Sequence, residues 1–215
     1  RKLERRQLID TYKTFGCEAT NPTFRYTLLD GVKDDHLVSP IIVDARTDIT
    51  TELLSEMGYS VLIENEEGEE EEKTYFQKDF ERKFYSEKTN RTLCQTFLEN
   101  ALKDPLTSEI GKSIIFCVSQ NHASKITQIL NKLAHRMYQG KYNSDFAVQV
   151  TSSIEGAQQM AINFSNNNLN GHTTFKEGYD SSKTRVCVTV GMMTTGYDCE
   201  DILNLCLMRP IFSRN

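Results

Sequence analysis

From Gly111 onward, short β-branched runs alternate with amphipathic stretches, and nothing else in the chain restricts its fold as much. Ser113 to Val118 (SIIFCV), Phe146 to Val150 and Val186 to Val190 are mostly apolar, the pattern of strands buried on both faces. Between the first two, Ala123, Ile126, Ile129, Leu130, Leu133, Ala134 and Met137 share one helical face, with Asn121 as expected N-cap and Gly140 as the stop. Ala157, Met160, Ala161 and Phe164 fall at i, i+3, i+4 and i+7 and predict a second helix. The polar stretch Asn166 to Ser182 reads as a loop, and a last strand begins at Ile202 and runs through Leu205, Cys206, Leu207 and Met208. This order predicts an α/β fold, a mainly parallel sheet with helices on its faces.

In such a sheet, ligands sit beyond the carboxyl ends of the strands. Three small polar loops belong there: Ser119-Gln120, Thr151 to Ser153, and Gly191 to Asp198. In the last, Gly191 and Gly196 let backbone approach a phosphate, Thr194 and Thr195 offer hydroxyl donors, and Asp198 suits a ribose hydroxyl. A tight turn with Asp198 bonding its own backbone fits the same residues. Simple helix capping fits the other two loops.

Composition bears on partners and compartment. The net charge of −5 gives nucleic-acid binding no general support, so any such contact needs a local basic surface. The six cysteines form no Cys-x-x-Cys pair; Cys117, Cys187 and Cys206 lie in apolar runs and read as small hydrophobes of a reduced, intracellular protein. The four histidines lack metal-ligand spacing, so no metal site is expected. No apolar run nears the roughly 20 residues of a membrane span, and no signal peptide is visible in the charged start. With Arg1 in place of an initiating Met, the N-terminus reads as a cut inside a longer chain.

Residues 1 to about 45 predict no core of their own, with short strands at Phe24 to Leu29 and, at a sheet edge because of Pro40, at Leu37 to Val43. Thr47 to Met57 reads as a short helix, and the glutamate run at 64–72 as a solvated loop or hairpin tip. Thr74 to Lys103 is rich in helix formers, with Phe76, Phe80, Phe84, Leu93, Phe97, Leu98 and Leu102 as core positions and Asp104-Pro105 as the end.

These residues resemble a known family. SIIFCVSQNHA, TRVCVTVGMMTTGYD and LCLMRPIFS look like motifs IV and V of the second RecA-like lobe of a superfamily 2 helicase motor. YKTFG at 12–16, YTLLDGVKDDHLVSP at 26–40 and DFERKFYSEKTNRTLCQTFLENALKDP at 79–105 are similar to the motor subunit of type I restriction enzymes. The resemblance implies a RecA-like lobe over 105–215, helices on both sheet faces, and an inter-lobe segment with a helical adjunct over 1–104. It implies a cytoplasmic parent protein that translocates double-stranded DNA with ATP and Mg²⁺ and cuts it as an endonuclease. The partners it implies are the first RecA-like lobe of the same chain and the methylation and specificity subunits.

By the same resemblance, Gly196 and Asp198 match the glycine and acid of motif V, at the ribose side of ATP. Thr194 and Thr195 fall where DNA-backbone contacts occur, although Thr195 replaces the family's common arginine. Ser119 and Gln120 match a phosphate-contacting position after the motif IV strand. The sequence has no Gly-x-x-x-x-Gly-Lys-Ser/Thr loop, no DEAD-type acidic motif and no nuclease segment, and motif VI is expected only beyond Asn215. The fragment is therefore expected to hold no bound cofactor, to carry no catalytic residue and to be inactive alone. Another superfamily 2 helicase and a non-catalytic RecA-like scaffold are the alternative readings; a dinucleotide oxidoreductase lacks its Gly-x-Gly-x-x-Gly.

Overall fold

The first strand, β1 (Lys112–Cys117), is buried along its whole length, and its side chains divide between two cores. Ile115 and Cys117 pack with Val186, Val188 and Ala147; Ile114 and Phe116 pack with Cys187 and Val150. This period of two is what a strand covered on both faces requires. Each fully buried Ile or Val contributes about 1.5–3 kcal/mol relative to exposure.

The computed structural model describes residues 11–18, 21–42, 87–194 and 196–209. Two compact units result, Arg1–Val43 and Asp44–Asn215. In the second, α3 (Glu87–Asn100) precedes β1, followed by α4 (Gln120–Met137), β2 (Ala147–Gln149), α5 (Ala157–Ser165), β3 (His172–Lys176), β4 (Tyr179–Ser182), β5 (Val186–Thr189) and β6 (Ile202–Met208). Four strands form one sheet in the order β2-β5-β1-β6, and every pair in it is parallel.

Helices cover both faces. α3 and α4 pack on one through Cys94, Phe97, Leu98, Ala123, Ile126, Ile129, Leu130 and Ala134. α5 packs on the other through Ala157, Ala161 and Phe164, joined there by Met193 from the β5–β6 connection. The chain moves from β1 to β2 over the first face and returns over the second, through β5 to β6. Right-handed crossovers demand this change of face whenever the direction across the sheet reverses. The α/β architecture read from the sequence is thus the observed one.

Several local expectations change. Ser119, not Asn121, caps α4: its backbone is extended and its Oγ accepts from the His122 amide at 3.2 Å, so the helix starts before Asn121. Met137 is 53% exposed because the last turn of α4 carries it away from the core, and Leu102, past the end of α3, is exposed as well. The supposed loop at 166–182 contains the antiparallel hairpin β3–β4. Its two-residue Glu177-Gly178 connection, with Gly178 at φ +82°, makes a tight turn that the polar composition concealed.

The amino-terminal edge of the sheet is closed by two buried cations. Lys112 Nζ donates to the Phe164 carbonyl at 2.6 Å, Asn167 Oδ1 at 2.8 Å and Asp201 Oδ1 at 2.7 Å. Arg185 donates through Nε to the Ile110 carbonyl at 2.7 Å and through Nη1 to the Ser182 carbonyl and the Ser181 hydroxyl. Its Nη2 pairs with Asp104 at 3.6 Å. Asp104 in turn accepts from the Leu106 and Thr107 amides and the Tyr179 hydroxyl, which ties the hairpin to the turn after α3. The Asp104-Pro105 end of the helical segment is therefore a turn with a buried role. On the outer edge, Asn131 of α4 accepts from the Ala147 amide and donates to its carbonyl, both at 2.9 Å, pairing groups that an edge strand leaves open.

In the first unit, α1 (Thr11–Thr14) and α2 (Leu28–Lys33) are helical. The strand expected at Phe24 to Leu29 does not form, because Thr27 and Asp30 make a reciprocal capping box: Asp30 Oδ2 accepts from the Thr27 amide at 2.8 Å, and Thr27 Oγ1 from the Asp30 amide at 3.2 Å. Residues 37–42 form no strand either; the His36 and Leu37 amides are spent on the Gly31 carbonyl, closing α2. Phe15, Phe24, Leu29, Val38, Ile41 and Ile42 are exposed, in keeping with a segment that has no core of its own. The expected helix at 47–57, the acidic run at 64–72 and Phe76, Phe80 and Phe84 lie outside the described residues.

Candidate functional site

All four strands of the sheet point the same way, so the segments after β1, β2, β5 and β6 emerge along one edge. β1 and β5 are neighbours, yet the chain leaves them over opposite faces and in opposite directions. The crevice between such strands is where open α/β sheets bind ligands.

The first two predicted loops meet there. Gln120 Nε2 donates to Ser152 Oγ at 3.3 Å, while Gln149 Nε2 donates to the Gln120 carbonyl at 3.2 Å and to Thr151 Oγ1 at 3.1 Å. Thr151 and Ser153 are hydroxyl-bonded at 3.1 Å. Gln149, which the sequence offers only as a strand residue, is the clasp between the loops.

Behind Ser119 stands His122, 1% exposed. Its Nδ1 accepts from the Val118 amide at 3.4 Å, so Nε2 carries the proton and donates to Asn90 Oδ1 of α3 at 3.2 Å. Burial pushes its pKa down from 6.5 to about 4, and Lys125 adds to the effect. A neutral His122 stabilises the fold fully above 6.5, and that contribution is lost as pH falls from 6.5 toward 4. Stability should decline over this window by at most about 1.4 kcal/mol per pH unit for this one proton. Urea melts at pH 7 and pH 5 check it, and His122→Gln should flatten the difference; an unchanged slope in the variant would assign the decline to other groups.

The third loop is anchored from below. Met193 is buried at φ +59° and the Tyr197 hydroxyl donates to the Ala161 carbonyl at 2.9 Å, so apolar side chains hold the loop on α5. Thr189 Oγ1 donates to the Met192 carbonyl and Thr194 Oγ1 to the Gly191 carbonyl, closing its first turn. Gly191, Thr194, Gly196 and Asp198 remain exposed along the edge. Gly196 sits at φ +75°, where a side chain would be strained. Asp198 accepts no hydrogen bond from any described residue, so the self-bonded turn is not what the structure shows. Thr195 lies outside the described residues.

One cation on this edge escaped the sequence reading. Arg209, just after β6, donates through Nη1 to the Val190 carbonyl at 2.8 Å, with its guanidinium carbon 5.3 Å from the Phe116 ring centroid. Only the convergence of β1, β5 and β6 brings these residues together. Among the described residues no cluster of His, Cys, Asp and Glu could hold a metal ion, and no helix is long and apolar enough to cross a membrane.

No family model matches the chain. The endonuclease subunit of the type I restriction enzyme EcoKI, from Escherichia coli (strain K12), is 26% identical to it over 219 residues. That match takes in 96% of this chain. The chain is similar to part of that type I restriction endonuclease subunit. It spans 17% of that subunit's length. A solved fragment named for the HsdR subunit of a type I restriction enzyme from Vibrio vulnificus YJ016 aligns at 25% identity and a TM-score of 0.42, over 63% of this chain and 23% of that one.

Proposed function

We propose that this chain is the part of a type I restriction motor subunit that carries the motif IV and motif V surfaces of its second RecA-like lobe. The observation that carries the reading is the placement of the Ser119, Thr151 and Gly191–Asp198 loops on one sheet edge, where the strand order reverses, in a relative of a type I endonuclease subunit. In this reading Ser119, Gln120, Thr194 and Thr195 contact DNA phosphates, while Gly196 and Asp198 face the ribose of ATP once the first lobe closes over them. The complete subunit is an ATP- and Mg²⁺-dependent DNA translocase and endonuclease of the cytoplasm, working with methylation and specificity subunits. Phosphate contacts grip DNA without reading its sequence, which suits a translocating motor.

Titration of the chain with short duplexes of unrelated sequence tests the proposal. Binding should be weak, indifferent to sequence and steeply lost with salt, because neutralised phosphates release counter-ions. ATP hydrolysis by the chain alone should be absent, since phosphoryl transfer needs phosphate loop, metal and charge-stabilising arginine together. A sequence preference that survives high salt would sink the tracking role, and DNA-stimulated hydrolysis would show that the chain contains a complete cleft.

A further inference from the structure

The cations of the sheet unit differ by edge. At the amino-terminal edge Lys112 and Arg185 are each 1% exposed and filled with protein acceptors. At the carboxyl-terminal edge Arg209 is partly exposed, and the Val190 carbonyl is the one hydrogen-bond acceptor it has among the described residues. No described carboxylate pairs with it. A guanidinium carries five N–H donors in a rigid fork. Arg209 is thus pinned by a ring and one carbonyl, while the other donors of its fork meet no acceptor among the described residues.

The position of Arg209 gives those remaining donors a meaning. Val190 opens the Gly191–Asp198 loop, and Phe116 lies on β1, whose following loop carries Ser119 and Gln120. Arg209 therefore spans the ends of β5, β1 and β6 at the crevice. Apart from the Asp198 carboxylate, the described loop residues there supply neutral groups, and a phosphate held by them needs a positive charge from a neighbouring element. Planar bidentate donation to phosphate oxygens is what arginine does best.

We infer that Arg209 is the phosphate-binding cation of this edge, taking the phosphate of a DNA backbone or of a nucleotide. The inference rests on the tracking reading above and supplies the charge that reading lacks. Its test uses the whole chain with a random-sequence duplex over a sodium chloride series, and separately with ATP. Arg209→Gln should reduce the slope of log affinity against log salt by about one, the loss of a single phosphate contact. Arg209→Lys should keep the slope and weaken binding, since the charge stays and the fork goes. Lys132→Gln, on the exposed face of α4, should change neither.

A changed duplex slope with unchanged ATP affinity assigns the contact to DNA; the reverse assigns it to the nucleotide. Both support the inference. An unchanged slope and unchanged ATP affinity in Arg209→Gln overturns it while leaving the tracking reading intact, whereas wild-type duplex binding that ignores salt overturns both. Should Arg209→Gln fail to fold, phenylglyoxal modification of the wild-type chain decides. Protection of the Arg209 peptide by duplex or tripolyphosphate is expected, and modification at an undiminished rate overturns the inference.

Discussion

Arg185→Ala is expected to destabilise the sheet unit by roughly 3–5 kcal/mol, the cost of removing one partner from a buried ionic network. The loss has three parts. Asp104, 3% exposed, would keep a buried charge without its counter-ion. The Ile110 and Ser182 carbonyls would lose their donor, and a cavity would open where the largest fully buried side chain stood. Against a total of about 5–15 kcal/mol for a domain, this is a large fraction. A melting temperature lower by roughly 6–20 °C follows for a chain of this size. Burial alone would raise the Asp104 carboxyl, but the Tyr179 hydroxyl, the Thr107 and Leu106 amides and Arg185 together hold it below the ordinary carboxylate value. Its stabilisation is therefore complete at neutral pH and is lost only as pH falls through that lowered value. Thermal melts at pH 7 of Arg185→Ala and Arg185→Lys check the prediction. The lysine variant should recover part of the loss, and a change under 1 kcal/mol in the alanine variant would show that the network contributes little.

In the complete subunit, Asp198→Ala should lower kcat/KM for ATP about 10- to 100-fold, the worth of a charge-assisted hydrogen bond of roughly 1.5–3 kcal/mol. Its stability should change by no more than about 0.5 kcal/mol, because the residue is exposed and no described group bonds it. A raised KM with kcat kept would mean that Asp198 holds ATP equally in ground and transition states. A fall in kcat would mean that it acts only after closure. A turn-capping role makes the opposite forecast, a lowered melting temperature with ordinary kinetics per folded molecule. Measuring both on one preparation separates the two.

What the sequence determined by itself was whatever depends on near neighbours. Continuous apolar runs marked β1, β2 and β5, because a strand buried on both faces has little room for polar residues. Spacings of three and four marked the buried faces of α4 and α5. Their alternation fixed a parallel sheet, hence the edge on which Ser119, Gln120, Thr194, Gly196 and Asp198 stand, and long strings such as DFERKFYSEKTNRTLCQTFLENALKDP carried the resemblance to type I restriction motor subunits. Tertiary structure alone decided which polar residues are structural and which are open to a ligand. Lys112 meets Asp201 across 89 positions, and Arg185 meets Ile110 across 75. The same holds for Gln149 as a clasp and for Arg209 against Val190 and Phe116. A lysine or arginine carries the same charge in a core as at a crevice; whether its donors are already filled depends on chain segments that only folding brings together.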